Sequence, residues 1–252
     1  MQLPASEALV PELVVLASSP STNAELASRA RRSVLAGFTT VVTDDQTAGR
    51  GRLDRSWIAP AGSALAISVL IDPGPLPPER LGWLPIAAGV AMAGVVSDLL
   101  PDAAVGFKWP NDVLVGGRKV CGVLAELIPE RGEVVVGAGI NTAMTADQLP
   151  VPSATSLAIE GLHPDADTVL AGYLTRLRGL VEPYLRSGGD AVASGLLARA
   201  GELCLTLGRE VRVDLPDGRV IEGLATALDA DGRLRVGDES IAAGDVTHAR
   251  LA

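Results

Sequence analysis

Residues 45–57 read Asp-Gln-Thr-Ala-Gly-Arg-Gly-Arg-Leu-Asp-Arg-Ser-Trp and directly follow an apolar run typical of a β-strand. Glycine lets backbone N–H groups approach an anion closely, and arginine guanidinium groups match phosphate or carboxylate oxygens bidentately. The stretch therefore predicts an anion-binding loop beside a strand end. Taken alone, a Gly-Arg-Gly-Arg tract is also typical of a flexible exposed segment or of a nucleic-acid-binding segment.

The composition describes a folded, acidic protein. Of the 252 residues, 48% are hydrophobic and 20% are charged, which excludes general disorder. The formal net charge is −9, whereas nucleic-acid-binding surfaces need clustered lysine and arginine to displace counterions. The arginine-rich loop is therefore a local positive feature that suits a small anion better than a polymer, and no DNA partner is expected.

Two cysteines and two histidines leave little scope for a metal centre. Cys121 and Cys204 both lie in apolar runs, which is typical of core thiols in a reducing compartment. His163 and His248 do not pair with them at metal-ligand spacing. No metal-binding residues are therefore expected, and because the N-terminus lacks the pattern of a signal peptide, the expected location is cytoplasmic.

Residues 81–97 carry no charge and resemble a membrane span at first sight. The run is shorter than the roughly 20 strongly apolar residues that a span needs, and much of it is alanine and glycine. Arg80 precedes it and Asp98 follows it. The pattern therefore predicts a buried core helix and no membrane partner.

The rest of the chain alternates between helical and strand-like patterns. A hydroxyl cap at Ser21 and a glycine at Gly37 predict the bounds of the first helix. The helices are predicted at residues 21–37, 81–100, 167–185 and 190–200, and the strands at 39–43, 63–71, 105–109, 120–128 and 133–140.

After Gly201 the pattern changes to short β-like segments separated by Asp-Gly turns over about 50 residues, which is typical of a small β-barrel. The strand-like segments are 210–215, 219–228, 233–236 and 246–250. We therefore expect an α+β fold with two domains. Residues 1–200 would form a mixed or largely antiparallel sheet backed by helices, and residues 201–252 the barrel.

Four further segments place polar groups at predicted strand ends or helix starts. Each also has a purely structural interpretation, in order: a helix cap, a turn with a surface tryptophan, a solvated strand edge, and a strand end packed on a helix. Together with the arginine-rich loop they are harder to explain structurally. The segments are Ser21-Thr22-Asn23, Lys108-Trp109-Pro110-Asn111-Asp112, Arg118-Lys119 followed by Gly122, and Gly137-Ala138-Gly139-Ile140-Asn141.

In this order and spacing, the five segments resemble the motifs of the biotin–protein ligases, over nearly the whole chain from Ser21 onward. The resemblance implies a biotin/lipoate ligase-like catalytic domain and a C-terminal SH3-like barrel. About 20 residues precede Ser21, too few for the DNA-binding domain of bifunctional relatives, so a ligase-only protein is expected. Many relatives have glycine where this chain has Asp54, so loop mobility is not carried over to this chain.

The resemblance also implies a reaction in two steps. The biotin carboxylate attacks the α-phosphate of ATP to give biotinyl-5′-AMP, and a lysine of a biotin carboxyl carrier domain of an acyl-CoA carboxylase then takes the biotinyl group. Mg²⁺ would accompany ATP, held mainly by phosphates and water. The alternatives are a lipoate or octanoate protein ligase and a non-enzymatic biotin-sensing regulator. A monomer or a weak ligand-linked homodimer is expected.

Site roles are carried over by motif. Lys119 would lie between the two anions, and Asp112 would accept a proton from the incoming amine or orient it. The expected catalytic residues are Lys119, Arg50, Arg52 and Asp112. The expected biotin-binding residues are Ser21, Thr22, Asn23, Gln46, Gly49, Arg50, Gly51, Arg52, Lys119 and Gly122. The expected ATP- and adenylate-binding residues are Arg50, Gly51, Arg52, Arg55, Trp57, Lys108, Asn111, Lys119, Gly137, Gly139 and Asn141.

Overall fold

The computed structural model describes residues 1–52 and 55–248. The helices are α1 (Pro4–Glu7), α2 (Thr22–Arg32), α3 (Trp83–Leu99), α4 (Ala166–Arg186) and α5 (Leu196–Leu203). The strands are β1 (Leu13–Val15), β2 (Thr40–Thr43), β3 (Gly49–Arg50), β4 (Ser56–Trp57), β5 (Ala64–Ile71), β6 (Val105–Lys108), β7 (Asp112–Val115), β8 (Arg118–Ile128), β9 (Glu133–Asn141), β10 (Glu210–Asp214), β11 (Val220–Leu228), β12 (Leu234–Val236), β13 (Glu239–Ile241) and β14 (Asp245–His248).

The main sheet has seven strands in the order β1-β2-β5-β9-β8-β7-β6. The β1–β2 pair is parallel and the other neighbours are antiparallel, which confirms the predicted mixed, largely antiparallel sheet. Alternate side chains of the central strands pack against α3 and α4 in the main core. Helix α3 is buried on nearly all sides, since it lies between the sheet and α4.

One helical segment, Pro78–Leu99, is apolar and long enough to pass for a membrane span, but 72% of its most apolar window is buried inside the protein. This burial agrees with the predicted core helix.

The opposite face of the sheet carries α2 and the two-stranded hairpin β3–β4. The Ser21 hydroxyl caps α2 by accepting a hydrogen bond from Ala24 N at 3.4 Å. Leu26 and Ala30 of α2 are fully buried in a second, smaller core with apolar residues of β2, β5 and β9. The N-terminal end of α2 is thereby fixed over the middle of the sheet.

The C-terminal unit is a five-stranded antiparallel sheet in the order β13-β12-β11-β10-β14. It agrees with the predicted SH3-like barrel. Two buried indoles attach it to the main unit, since Trp83 and Trp109 each donate a 2.9 Å hydrogen bond, to the carbonyls of Ala230 and Gly232 respectively. The proposed domain boundary near Gly201 lies in the last turn of α5.

Several element bounds differ from the prediction. The first helix ends at Arg32 instead of Gly37, because Ser33 is already extended. The helix predicted from Asp190 starts at Leu196, since Asp190 instead accepts hydrogen bonds from the N–H groups of Val192 and Ala193 in a turn. Strands β1, β3, β4, β7 and β13 were not predicted; each has at most four residues, too few for a clear alternation pattern.

The contact between the two units predicts how two glycine substitutions change the free energy of unfolding. Gly232 has a φ of +83°, and a Cβ there would lie 3.0 Å from Ile86 Cδ1. Gly218 has a φ of +84° and open space around it. Both Gly→Ala variants should lose about 1–2 kcal/mol from the left-handed backbone, and Gly232→Ala about 1–3 kcal/mol more from overpacking. Urea unfolding measures the difference, and equal losses would contradict this account of the interface.

Candidate active site

Small residues keep one patch of the sheet flat. Three glycines of β8 and β9 lie there, where any Cβ would meet a neighbouring side chain. At Gly137 it would collide with the Asn23 amide, at Gly139 it would lie 2.8 Å from the Trp57 ring, and at Gly122 it would lie 3.0 Å from Lys119 Nζ. The glycines therefore let polar and aromatic side chains from other elements lie directly on the sheet.

Above this patch is a cavity of about 140 Å³, roofed by α2 and the β3–β4 hairpin. Its end beneath α2 is polar, because Gln46 Oε1 accepts hydrogen bonds from Thr22 N at 2.9 Å and Thr22 Oγ1 at 3.2 Å. Its walls include Ala66, Trp57 and the backbone of Ile67 and Ala138, whose side chains point into the main core. The cavity thus combines an apolar body with fixed hydrogen-bonding groups at one end, as small-molecule sites do.

Each arginine of the hairpin region meets a fixed polar partner. Arg50 Nη2 donates to Glu126 Oε2 at 3.0 Å. Arg52 Nη1 donates to Asn111 Oδ1 at 3.1 Å and to the carbonyl of Gly244 at 3.4 Å. These contacts hold the hairpin against β8, the Trp109–Pro110 turn and the C-terminal unit.

The third arginine, Arg55, pairs with Asp245 of the C-terminal unit through both guanidinium nitrogens. The hydrogen bond from Arg55 is the main reason that the pKa of Asp245 lies below its usual value. Burial lowers the pKa of Arg52, although nearby carboxylates oppose the shift. An arginine side chain stays charged in either case, so the site retains its cations.

Lys119 and Asp112 form the central ion pair, with Nζ 2.7 Å from Oδ1. Among the described residues, Asp112 Oδ1 receives no well-aligned hydrogen bond, so the Lys119 ammonium is its main partner. The same ammonium lies 5.7 Å from the centroid of the Trp57 ring, within the range of a cation–π interaction. The whole sequence contains two lysines, Lys108 and Lys119.

A β-bulge places Lys119 on this face. Asp112 pairs with Gly122 and Val113 with Cys121, but Leu114 pairs with Lys119, so Val120 is an extra residue in β8. Without the bulge, Lys119 and Gly122 would point to opposite faces of the sheet, because their separation is odd. The extra residue brings the ammonium over Gly122, opposite Asp112.

A second, larger groove of about 760 Å³ adjoins the cavity between the main and C-terminal units. Lys108, Asn141 and His248 line this groove and not the first cavity. Asn141 is 4% exposed, and its Nδ2 donates to the carbonyl of Thr155 at 2.8 Å. Its Oδ1 has no hydrogen-bond partner among the described residues. The cavity and the groove share Arg55, Ser56, Trp57, Asp112, Lys119 and Asp245.

Most of the sequence-predicted residues meet at these two spaces. Gly49 instead lines a third groove, of about 940 Å³, together with Glu126. Asp54 lies outside the described residues. Neighbouring groups that the sequence did not single out are Ser68, Glu126, Asp245 and His248. Of these, Glu126 has a sequence signal, since it follows Gly122 by four residues along one strand and therefore shares its face.

The remaining reactive groups do not suggest other chemistry. Burial raises the pKa of the Cys121 thiol to about 12, so it stays protonated and is a poor nucleophile. Within residues 1–52 and 55–248, no group of three histidine, cysteine, aspartate or glutamate residues could hold a metal ion.

Comparison with known proteins identifies the family. Residues 15–141 match the Biotin/lipoate A/B protein ligase family, and residues 206–248 match the Biotin protein ligase C terminal domain. The chain is 37% identical over 246 residues to the biotin–acetyl-CoA-carboxylase ligase of Mycobacterium tuberculosis, covering 95% of this chain and 90% of that protein. The chain belongs to the biotin/lipoate A/B protein ligase family.

Other members of the family show the same relationship. The biotin–acetyl-CoA-carboxylase ligase of Paracoccus denitrificans is 38% identical over 201 residues, covering 75% of this chain and 81% of that protein. The structure of biotin protein ligase from Aquifex aeolicus in complex with biotin and ATP superposes with a TM-score of 0.77 at 27% identity, covering 96% of this chain and all of that one. Fold and family therefore agree over both units.

His248 in the groove predicts how the stability of the protein depends on pH. Burial and the neighbouring Lys108 and Arg209 lower the pKa of His248, whose ring Nε2 lies 3.3 Å from Thr206 Oγ1. Between this lowered pKa and the ordinary value of 6.5, the unfolded chain binds more protons at His248 than the folded one, so stability rises with pH. Urea unfolding at several pH values across this window should show the rise.

The matched variants isolate the effect of this residue. His248→Gln should flatten the increase, whereas His163→Gln, which changes an exposed histidine outside the groove, is the control. An unchanged pH dependence in His248→Gln would contradict the assignment of the rise to this residue.

Proposed function

We propose that this protein is an ATP-dependent biotin–protein ligase that forms biotinyl-5′-AMP and transfers biotin to a lysine of a biotin carboxyl carrier domain. The observation that carries the proposal is the position of Lys119, which lines both the small cavity and the larger adjoining groove. A ligase that joins a carboxylate to a phosphate needs a cation at the point where the two anions meet.

Biotin fits the small cavity by its chemistry. Its ureido ring would meet Ser21, Thr22 and Gln46 beneath the start of α2, while its apolar ring and chain would lie along Ala66 and the Trp57 ring. The carboxylate of a ligand oriented in this way would point along the cavity toward Lys119. The β3–β4 hairpin would cover the bound molecule and exclude water.

ATP would occupy the larger adjoining groove. Lys108 offers a cation for the phosphates, and Asn141 offers a buried acceptor for the adenine amino group. Arg52 and Asn111 line the smaller cavity, which also contains Lys119. Carboxylates there are already paired with cations, as in Asp112–Lys119 and Asp245–Arg55, so Mg²⁺ would be held mainly by the phosphates and water.

In the first step, a biotin carboxylate oxygen attacks the α-phosphorus, the new C–O–P bond forms, and pyrophosphate leaves. Lys119 would reduce the repulsion between the two anions, most strongly where the attacking and leaving oxygens crowd together. Arg52, fixed by Asn111, would hold the phosphate of the resulting mixed anhydride.

In the second step, the carrier lysine attacks the acyl carbon and AMP leaves. The amine must be neutral to attack. Asp112 would orient this amine or accept its proton once Lys119 has turned from it toward the phosphate oxygens. Asp112 would therefore be released from Lys119 only when the substrate anions are bound.

The remaining assignments follow from the family. The Mycobacterium and Paracoccus relatives are named as ligases for acetyl-CoA carboxylase, so an acyl-CoA carboxylase carrier domain is the proposed acceptor. We expect a cytoplasmic protein that acts without DNA or membrane partners, as a monomer or a weak ligand-linked homodimer.

Mixing the protein with ATP, Mg²⁺, biotin and a biotin carboxyl carrier domain tests the function directly. The mass of the acceptor should increase by one biotinyl group, and only when both ATP and biotin are present. Lipoate is the informative competitor, because the family description covers both acids. Lipoylation of a lipoyl domain without biotinylation of the carrier would overturn the proposal.

Lys119 should be required chiefly for the first step. Loss of one preorganised cation typically costs about 3–4 kcal/mol, so Lys119→Ala should lower the rate of adenylate formation by about 10²–10³. Lys119→Arg should not restore it, because a planar guanidinium does not replace a compact ammonium. Pyrophosphate release measures this step.

Chemically made biotinyl-5′-AMP supplies the control for the Lys119 variants. Transfer from this compound should suffer less than adenylate formation, and circular dichroism should show that the variant is folded. A normal rate of adenylate formation in Lys119→Ala would remove the residue from the reaction.

Asn141 should determine the choice of base. Its buried Oδ1 has no hydrogen-bond partner among the described residues and would accept a bond from the adenine amino group, whereas inosine presents a carbonyl at the same ring position. An unpaired buried polar group costs about 1–3 kcal/mol, so kcat/KM for ITP should be about 5- to 150-fold lower than for ATP. Asn141→Ala should reduce the preference for ATP over ITP, and an unchanged preference would exclude the contact between Asn141 and the base.

A further inference from the structure

A chain of hydrogen bonds leads from the sheet to the arginine hairpin through residues that the reaction does not use directly. Ser68 Oγ donates to Asn23 Oδ1 at 2.6 Å. Asn23 Nδ2 donates to Glu126 Oε2 at 2.8 Å and to the carbonyl of Leu124 at 3.1 Å. The same Glu126 oxygen accepts from Arg50 Nη2 at 3.0 Å. Four elements, β5, α2, β8 and β3, are thereby connected.

The inner part of this chain is rigid. Ser68 is 0% exposed and Asn23 is 6% exposed, and the absence of a Cβ at Gly137 leaves the space that the Asn23 amide fills. Both polar ends of Asn23 are used, so its orientation is fixed. The rotamers of Glu126 are therefore restricted, because one of its carboxylate oxygens accepts a hydrogen bond from a buried amide.

Glu126 also lies where the hairpin needs an attachment. Arg50 belongs to β3, and Gly51 N donates to the carbonyl of Arg55 at 2.6 Å across the base of the loop. Arg50 is therefore the cation nearest to the start of the loop, while Arg52 and Arg55 contact other partners.

We propose that Glu126 is a positioning residue that holds the arginine hairpin over the cavity by fixing Arg50, using an orientation set by Asn23. In this proposal Arg50 holds the hairpin in place, which differs from the catalytic role expected for it from the sequence, and Arg52 binds the phosphate. The part of the proposal that concerns biotin affinity rests on the proposed function. The part that concerns the closed hairpin does not.

The expected effect is modest in size. The side chains of Arg50 and Glu126 are 51% and 31% exposed, and exposed ion pairs contribute little because water screens them and the side chains lose freedom. Here the hydrogen bond from Asn23 already restricts the Glu126 side chain, so pairing with Arg50 costs Glu126 little further conformational entropy. Breaking the pair should therefore increase hairpin opening by about three- to fivefold.

Hydrogen exchange of the Gly51 amide measures loss of the hairpin structure that the Glu126–Arg50 pair would hold in place, because this N–H is bonded to the Arg55 carbonyl when the two sides of the hairpin are paired. Without any ligand, Glu126→Gln and Arg50→Gln should each speed exchange about three- to fivefold, and the double variant should be no faster than either single one. The control is Glu130→Gln in the β8–β9 turn, whose partner Arg31 lies 3.6 Å away on α2. It should leave Gly51 exchange unchanged.

The kinetic constants separate positioning from general structural damage. In the biotinylation assay, Glu126→Gln should raise KM for biotin about threefold and leave kcat within about twofold.

Additive effects in the double variant, or unchanged Gly51 exchange in Glu126→Gln, would overturn the proposal. Failure of the proposed function would give a different result. The exchange rates would still show the expected non-additive effects, but the acceptor domain would not be biotinylated. The two results are therefore distinguishable.

Discussion

The site depends on one ion pair, between Lys119 of β8 and Asp112 of β7. A half-buried ammonium without a partner would be costly, so the carboxylate keeps the cation in place when no substrate is bound. The bulge at Val120 directs Lys119 to this position, and Gly122 leaves room for its ammonium. The pair stands where the small cavity meets the larger adjoining groove, so any two anions that fill these spaces meet at Lys119.

The same arrangement recurs at the edge of the site, where protein carboxylates hold the arginines of the hairpin. Glu126 pairs with Arg50, and Asp245 pairs with Arg55. An unpaired cluster of arginines over an empty cavity would repel itself, and these carboxylates reduce that repulsion. Arg52 is different, because its partners are a neutral amide and a carbonyl, which leave its charge free for a phosphate. The C-terminal unit is therefore part of the site, since Gly244 and Asp245 complete the enclosure.

Sequence motifs predicted the fold and most of the residues at the site, because glycines, arginines and lysines at strand ends leave clear local patterns. They did not predict Asp245, which lies about 190 residues beyond Arg55 and reaches it only through packing of the two units. Nor did they predict the bulge, because the extra residue, Val120, is as apolar as its neighbours. They also did not predict that Arg50 and Arg52 have different partners, because the two residues are chemically identical and their partners are set by the fold.

A structure of the protein with a non-hydrolysable biotinyl-5′-AMP analogue tests the central claim most directly. The account predicts the biotin rings in the small cavity and the adenosine in the groove beside Asn141. It also predicts that Lys119 Nζ contacts the oxygens of the acyl-phosphate linkage and has turned away from Asp112. An adenosine bound outside this groove, or a Lys119 ammonium still paired with Asp112 and out of hydrogen-bond range of the linkage, would contradict it.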